Sequence, residues 1–306
     1  MTISDTPLLD ALRRDGFVVV PNLLDKYMLL GLKAACKYTT DAARQGKWPY
    51  VRTVPKQYPP WPKWTEGTNI WGVQHLLHPK LLARDTFAEL YFGDSILDVV
   101  KELLGLKSDS NADDKLVMEL FNLLVSPGQS RDFELCWHRD DVRPDVAPEN
   151  EETQLNEKSP YGRQLHAQYN VALYDDASLV VVPGSHNRVR TETERSAEPY
   201  AILPDQLIVE LKPGDAVFYN SNILHRGTYT GIDESNDRGR MTLHGSVGLA
   251  GHGNERARQV LQHGVGEWVE EAKFDNPESS ITQRAEDMRH RLMQMGKGDG
   301  TFSLEG

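Results

Sequence analysis

The chain has 306 residues, 39% of them apolar, and a formal net charge of -11. This permits one large domain with a substantial core and argues against a nucleic-acid or anionic-membrane surface, since phosphate contact needs clustered Lys and Arg and none appears. No stretch reaches the roughly 18 apolar residues of a membrane span, the N-terminus lacks a signal-peptide pattern, and Cys36 and Cys136 lie far apart, so a cytoplasmic protein without a disulfide framework is expected.

Taken in order, Thr6 to Arg14 reads as a short helix with Leu8, Leu9 and Leu12 on one side, ended by Asp15-Gly16. Phe17 to Val20 is a strand stopped by Pro21, and from Asp25 to about Arg44 the residues Leu29, Leu30, Leu32 and Ala35 recur at helical spacing. Trp48 to Trp71, dense in proline and tryptophan, predicts a long loop that either wraps the core or walls a substrate pocket. Leu81 to Tyr91 and Ser95 to Leu104 predict helices, the second closed by Gly105.

After a polar break at Lys107 to Asp114 the pattern changes to short strands at Leu116–Val125, Phe133–His138, Gln168–Tyr174, Ser178–Val182, Gln206–Leu211, Ala216–Tyr219 and Arg240–Val247. The charged stretch Asp141 to Gln164 between them reads as a surface insertion or as a lid over substrate. Asn254–Val269 and Ser279–Met295 predict terminal helices. Such a run of strands argues for a sandwich or barrel, of which the jelly roll is one solution. The expectation is an α+β fold with a mainly β core in a single domain: a helix-rich front (1–106), a jelly-roll core (115–248) and C-terminal helices (254–296).

Chemistry concentrates in Phe133-Glu134-Leu135-Cys136-Trp137-His138-Arg139-Asp140-Asp141. Side chains alternate along a strand, so His138 and Asp140 point one way and Trp137 and Arg139 the other. A second histidine, His225, lies in Tyr219-Asn220-Ser221-Asn222-Ile223-Leu224-His225-Arg226-Gly227, at the end of an apolar strand. Two histidines and one carboxylate make the facial triad of non-haem Fe(II) oxygenases, with three positions left open. His138, Asp140 and His225 are therefore the candidate catalytic iron ligands, and Asp141 is the first alternative to Asp140. A bare His-x-Asp is not specific, because it also occurs at solvated strand ends. The later run Arg238 to Val247 adds to it: Arg240, Thr242, His244 and Ser246 alternate with Met241, Leu243 and Val247. An inward arginine needs a carboxylate partner, and a dicarboxylic cosubstrate would supply one.

The ordered motifs Gly16-Phe17-Val18-Val19-Val20-Pro21, Trp137-His138-Arg139-Asp140, Val182-Pro183-Gly184-Ser185-His186, Lys212-Pro213-Gly214-Asp215-Ala216, Leu224-His225-Arg226-Gly227 and Arg240 resemble the phytanoyl-CoA dioxygenase-like family of Fe(II)/2-oxoglutarate oxygenases, from about Gly16 to Val247. The resemblance implies a double-stranded β-helix, cupin-like, with helices packed on one sheet. It also implies Fe(II) on His138, Asp140 and His225, O2 as co-reactant, and Arg240 pairing with the far carboxylate of 2-oxoglutarate. The gap from His225 to Arg240 is longer than the family usually shows, which keeps Arg238 as a competitor. Strand parity turns Gln168, Asn170 and Asn122 toward the cavity as further cosubstrate contacts. Asp140, in place of a small residue, leaves no ligand position for halide and favours hydroxylation, desaturation or a related oxidation.

The expected partner is a small organic substrate, with no nucleic acid and no membrane, and homo-oligomerisation stays open. His186 reads as structural, His75, His78, His166 and His252 as surface or hydrogen-bonded residues, and His244 as a neighbour of the ligands. The glycines from Gly248 to Gly253 read as a flexible exit from the last strand, and Gly245-Ser246-Val247-Gly248 misses the spacing of a serine-hydrolase elbow. Two rivals remain: a cupin-like metalloenzyme without 2-oxoglutarate, and a metal-free jelly-roll binding module.

Overall fold

The computed structural model describes residues 4–53, 59–127, 133–158, 164–229, 239–251, 253–276 and 279–297. The strands are β1 (Phe17–Val20), β2 (Val51–Thr53), β3 (Ile70–Val73), β4 (Leu116–Val125), β5 (Phe133–Glu134), β6 (His166–Ala172), β7 (Asp176–Val181), β8 (Leu207–Leu211), β9 (Ala216–Tyr219), β10 (His225–Tyr229) and β11 (Met241–Leu249). The helices are α1 (Pro7–Asp15), α2 (Lys26–Arg44), α3 (Arg84–Tyr91), α4 (Asp94–Leu103), α5 (Pro148–Lys158), α6 (Glu192–Ser196), α7 (Asn254–Gln262) and α8 (Thr282–Met295). A seven-stranded sheet runs β1-β9-β6-β11-β4-β3-β2 and faces a four-stranded sheet β5-β10-β7-β8. Every pairing between these strands is antiparallel, and the two sheets form the expected double-stranded β-helix.

Helices α1 to α4, α7 and α8 pack on the outer face of the large sheet. α2 starts where the Asp25 carboxylate accepts from the N–H groups of Tyr27 and Met28, both at 2.8 Å. Its Leu32 and Cys36 join Phe87 of α3, Ile96 and Val100 of α4 and Met288 and Leu292 of α8 over Tyr169, Phe218 and Leu243. Each fully buried large apolar side chain there contributes about 1.5–3 kcal/mol relative to exposure.

β6 shows how the site is made. Ala167, Tyr169 and Val171 join the helix-side core, while His166, Gln168 and Asn170 point the opposite way and are also buried. A strand buried on both faces is normally apolar on both. This buried polar row faces the space between the two sheets. At one end this space is filled by Ala172, Leu179, Val181, Val209, Val217 and Ile223.

Several expectations need correction. Trp48–Trp71 is not all loop, because β2 and β3 pair at its ends and extend the large sheet. They are only three and four residues long, too short for a periodic signal. The strand expected over Phe133–His138 is regular only at Phe133–Glu134, and His138 returns as an isolated bridge to His225. α5 lies inside the charged stretch Asp141–Gln164, of which residues 159–163 fall outside the described set. No helix among the described residues is long and apolar enough to cross a membrane.

Candidate active site

The backbones of His138 and His225 exchange both N–H···O bonds at 3.0 Å, which fixes two irregular chain segments side by side. Each imidazole Nδ1 then faces the carbonyl two residues earlier, Cys136 at 2.7 Å and Ile223 at 2.9 Å. A carbonyl only accepts, so each Nδ1 carries the proton and each Nε2 presents a lone pair. Both Nε2 atoms face Asp140 Oδ1, at 3.6 and 3.7 Å, too far for hydrogen bonds.

The three potential ligand atoms lie within 4.8 Å of one another. Atoms at right angles on an ion with bonds of about 2.1 Å stand roughly 3 Å apart. Small side-chain rotations close that difference, so this donor set fits a divalent ion.

Electrostatics keep the donors in ligating form. Burial, then the neighbouring His138, pushes His225 down to about 4, so it is neutral at physiological pH. Burial would raise Asp140, but His225, His138 and the Gln168 amide outweigh it and hold the carboxyl at about 2. Gln168 Nε2 donates to Asp140 Oδ2 at 2.9 Å and so orients the carboxylate, leaving Oδ1 toward the imidazoles.

Residues alternating with these three act as anchors. Arg139, turned away from the site, donates to the carbonyls of Ser185, Asn222 and Arg188 and to Glu151 on α5. Glu151 is fully buried and also pairs with Arg190 and Arg195. Removing it would strand those charges, at a cost of about 3–5 kcal/mol. Arg190 and Arg195 in turn donate to the carbonyls of Val142, Arg143 and Val146. The front of the charged stretch Asp141–Gln164 is therefore fastened to the core. Ser185 Oγ accepts from the Leu224 N–H at 2.7 Å, bracing the residue before His225. Arg226 pairs with Glu134 at 2.6 Å and lies over the Trp137 ring.

Arg240 precedes β11 and is buried. Its Nε donates to Asp176 Oδ2 and Thr242 Oγ1, both at 3.0 Å, and its guanidinium lies 4.6 Å from the Tyr229 ring centroid. The carboxylate partner required by an inward arginine is thus partly internal, a role for Asp176 that the sequence reading missed. Arg240 Nη1 is buried without a partner. Arg238 lies outside the described residues.

Asn122 and Asn170 flank His244 on neighbouring strands. His244 Nδ1 bonds Asn170 Oδ1 at 2.9 Å, the His75 N–H donates to Asn122 Oδ1 at 3.0 Å, and Asn122 Nδ2 has no partner. Asn170 is thus committed to His244, and Gln168 to Asp140. His75 and His78 are buried rather than at the surface, with bonds to the His263 carbonyl and the Lys80 N–H. His166 is likewise buried, but its Nε2 has no partner. His186 bonds the Arg13 carbonyl, as a structural residue would, and position 252 is outside the described set.

A jelly roll with two imidazoles and one carboxylate converging at strand ends is the architecture of a non-haem iron oxygenase. Residues 12–229 match the sequence profile of the phytanoyl-CoA dioxygenase (PhyH) family, and the chain belongs to that family. It is an Fe(II)/2-oxoglutarate-dependent dioxygenase that uses O2. The match ends before β11.

Among solved structures, HygX from Streptomyces hygroscopicus, with nickel and 2-oxoglutarate bound, is similar at 16% identity and a TM-score of 0.55, over 82% of this chain and 89% of that one. EctD from S. alaskensis, with 2-oxoglutarate and 5-hydroxyectoine, is similar at 18% identity and a TM-score of 0.53, over 81% and 78% of the two chains. At such identities the likeness speaks to the fold. No curated protein sequence matches the chain.

Proposed function

We propose that His138, Asp140 and His225 hold the iron, that Arg240 takes the far carboxylate of 2-oxoglutarate, and that the enzyme oxidises a small organic metabolite. The observation that carries the reading is the convergence of two imidazole Nε2 atoms and one carboxylate oxygen within 4.8 Å, with both Nδ1 atoms turned to backbone carbonyls. Bound iron with 2-oxoglutarate and O2 supplies the oxidising power, with decarboxylation of 2-oxoglutarate to succinate and CO2.

The chain's own share is positioning. The Cys136 and Ile223 carbonyls fix the imidazoles, Gln168 fixes the carboxylate, and Asp176 with Thr242 holds Arg240 so that Nη1 is left for the cosubstrate. Asn122, through its unpartnered Nδ2, and Asn170 complete the polar wall. Asp140 keeps the third protein position filled, which favours hydroxylation, desaturation or a similar oxidation over halogenation. The whole chain acts as one cytoplasmic oxygenase domain in this reading.

Anaerobic titration with Fe(II) and 2-oxoglutarate tests it. A weak visible charge-transfer band should arise only with both present. Stoichiometric metal without the band would favour a cosubstrate-free cupin-like enzyme, and no metal at all a binding module.

A further inference from the structure

Beyond the metal ligands, the cavity wall carries a second arginine pair, at the opposite end of β11 from Arg240. The β11–β4 register shifts between Gly245, opposite Phe121, and Val247, opposite Met118, so Glu119 and Leu120 together oppose Ser246. Such a bulge re-aims side chains next to a site. Tyr91 of α3 locks it, donating to the Ser246 carbonyl at 2.6 Å and accepting from the Glu119 N–H at 2.8 Å.

The Glu119 carboxylate lies over Gly248, where a Cβ would stand 2.6 Å from Oε1. Beyond β11 the chain turns back through Gly251 and Gly253, both left-handed at φ +82 and +105, into α7. That return brings Arg256 onto the wall: Nε and Nη2 meet Glu119 Oε2 at 3.2 and 3.1 Å, and Nη2 meets Ser246 Oγ at 3.4 Å.

This pair adjoins the proposed metal site. Ser246 is the cross-strand partner of Gln168, which holds Asp140, and Gly248 is the partner of His166. His166 shares the cavity-facing side of β6 with Gln168, is more than nine-tenths buried, and its Nε2 has no hydrogen-bond partner. A buried imidazole nitrogen left open beside a clamped arginine is a place for a ligand atom. Burial lowers the His166 pKa, so its Nε2–H tautomer can donate as a neutral group. The bonds of Arg256 to Glu119 and Ser246 run through Nε and Nη2, so Glu119 fixes that edge of the guanidinium and Nη1 stands on the other. Arg240 is wired in the same way by Asp176.

We propose that Arg256 Nη1 and His166 Nε2 form the substrate subsite of this oxygenase and receive a carboxylate carried by the substrate. The inference rests on the iron and 2-oxoglutarate assignment above. Glu119 is a positioning residue, holding the guanidinium face toward the cavity, and Gly248 leaves it room.

The test uses the whole protein loaded anaerobically with Fe(II) and 2-oxoglutarate, so no turnover is needed. Probes are matched acids and amides: benzoate and benzamide, hexanoate and hexanamide, L-proline and L-prolinamide. Binding beside the metal perturbs the visible band. At least one acid should bind ten-fold or more tightly than its amide, and Glu119→Gln/Arg256→Gln, which removes both charges together, should abolish that preference while the band itself still forms. Arg256→Lys keeps a charge against Glu119 but loses the fork, and should weaken acid binding several-fold. Thermal unfolding of both variants verifies the fold. A preference that survives in a folded double variant, or acids that bind no better than their amides, overturns the subsite. Absence of the band in the unaltered protein overturns the oxygenase assignment first, and the subsite with it.

Discussion

The two ends of β11 carry the same device in different settings. At the start, Arg240 comes from the strand's own approach, is held by Asp176 and Thr242, and lies against the Tyr229 ring with its side chain 7% exposed. Near the far end, Arg256 arrives on α7, is held by Glu119 and Ser246, and is 18% exposed. Both are arginines held by an internal carboxylate and a hydroxyl through atoms other than Nη1. The closed end suits one invariant small dianion, and the end hung on a separate helix suits a substrate that must enter and leave. Asp140, bonded by the Gln168 that pairs with Ser246, has a side chain 28% exposed. The difference teaches that a buried arginine is informative through the edge its partner leaves open.

Removing the centre has the largest effect. Asp140→Ala should reduce bound iron to near zero by metal analysis while circular dichroism and thermal unfolding stay close to the parent, because the ligand sits at an irregular chain segment and fills little core. Retained stoichiometric iron would transfer the role to Asp141. Next, Arg240→Lys should weaken 2-oxoglutarate binding by roughly 2–4 kcal/mol, the range for disrupting a buried charge pair, because a single ammonium nitrogen cannot reproduce the planar fork that holds Asp176 and Thr242 through Nε and presents a separate Nη1 to a ligand. Arg256→Lys should change it by less than about 1 kcal/mol, as a partly exposed pair would. The reverse ranking in an anaerobic titration would exchange the two ends.

A smaller effect is expected from Asp176→Asn, and its pH dependence identifies the pair. Burial works against the Asp176 charge, but Arg240, Ser178 and Thr242 outweigh it and hold the carboxyl below its ordinary value. A depressed folded-state pKa contributes stability above the unfolded carboxylate value of about 3.9 and loses it as pH falls through the lower folded value. Thermal midpoints of parent and Asp176→Asn should therefore differ at pH 5 to 8 and converge only below about pH 4. Parallel curves down to pH 3 would mean that Asp176 does not carry the charge Arg240 needs.

The convergence of His138 and Asp140 was legible in the sequence because alternation acts between residues two apart: they face the same point although the strand around them breaks up after Glu134. The polar row of β6 was legible for the same reason, apart from its first residue, His166, which lies two residues before the expected strand start. The arginine partners were not. Asp176 follows Asp175 in a turn and reads as solvated, Glu119 is one acid in the apolar run Leu116–Val125, and Arg256 begins a polar helix. Their pairings span 64 and 137 residues, and no local pattern encodes contacts at that range. Glu151 was hidden likewise, since α5 is polar almost throughout and this buried acid looks like the exposed Glu149 and Glu152 beside it.

The finest test compares the two hydroxyls. Thr242 Oγ1 is buried, accepts from Arg240 Nε at 3.0 Å and donates to Asp176 Oδ2, so it closes a ring of three groups. Thr242→Ala removes one of two acceptors of the Arg240 Nε–H and one donor to Asp176 Oδ2, while the bond between Arg240 and Asp176 remains, costing about 0.5–1.5 kcal/mol in stability. It should also loosen 2-oxoglutarate, because Arg240 loses one of two constraints. Ser246 Oγ makes only a 3.4 Å contact to Arg256 Nη2, which Glu119 already holds at 3.1 Å. Ser246→Ala should thus cost less than about 0.5 kcal/mol and leave 2-oxoglutarate binding unchanged. Thermal unfolding and anaerobic titration of the two variants read both effects. Equal losses of 2-oxoglutarate affinity would make the wall one continuous cosubstrate site, whereas loss in Thr242→Ala alone keeps the two arginines apart in function.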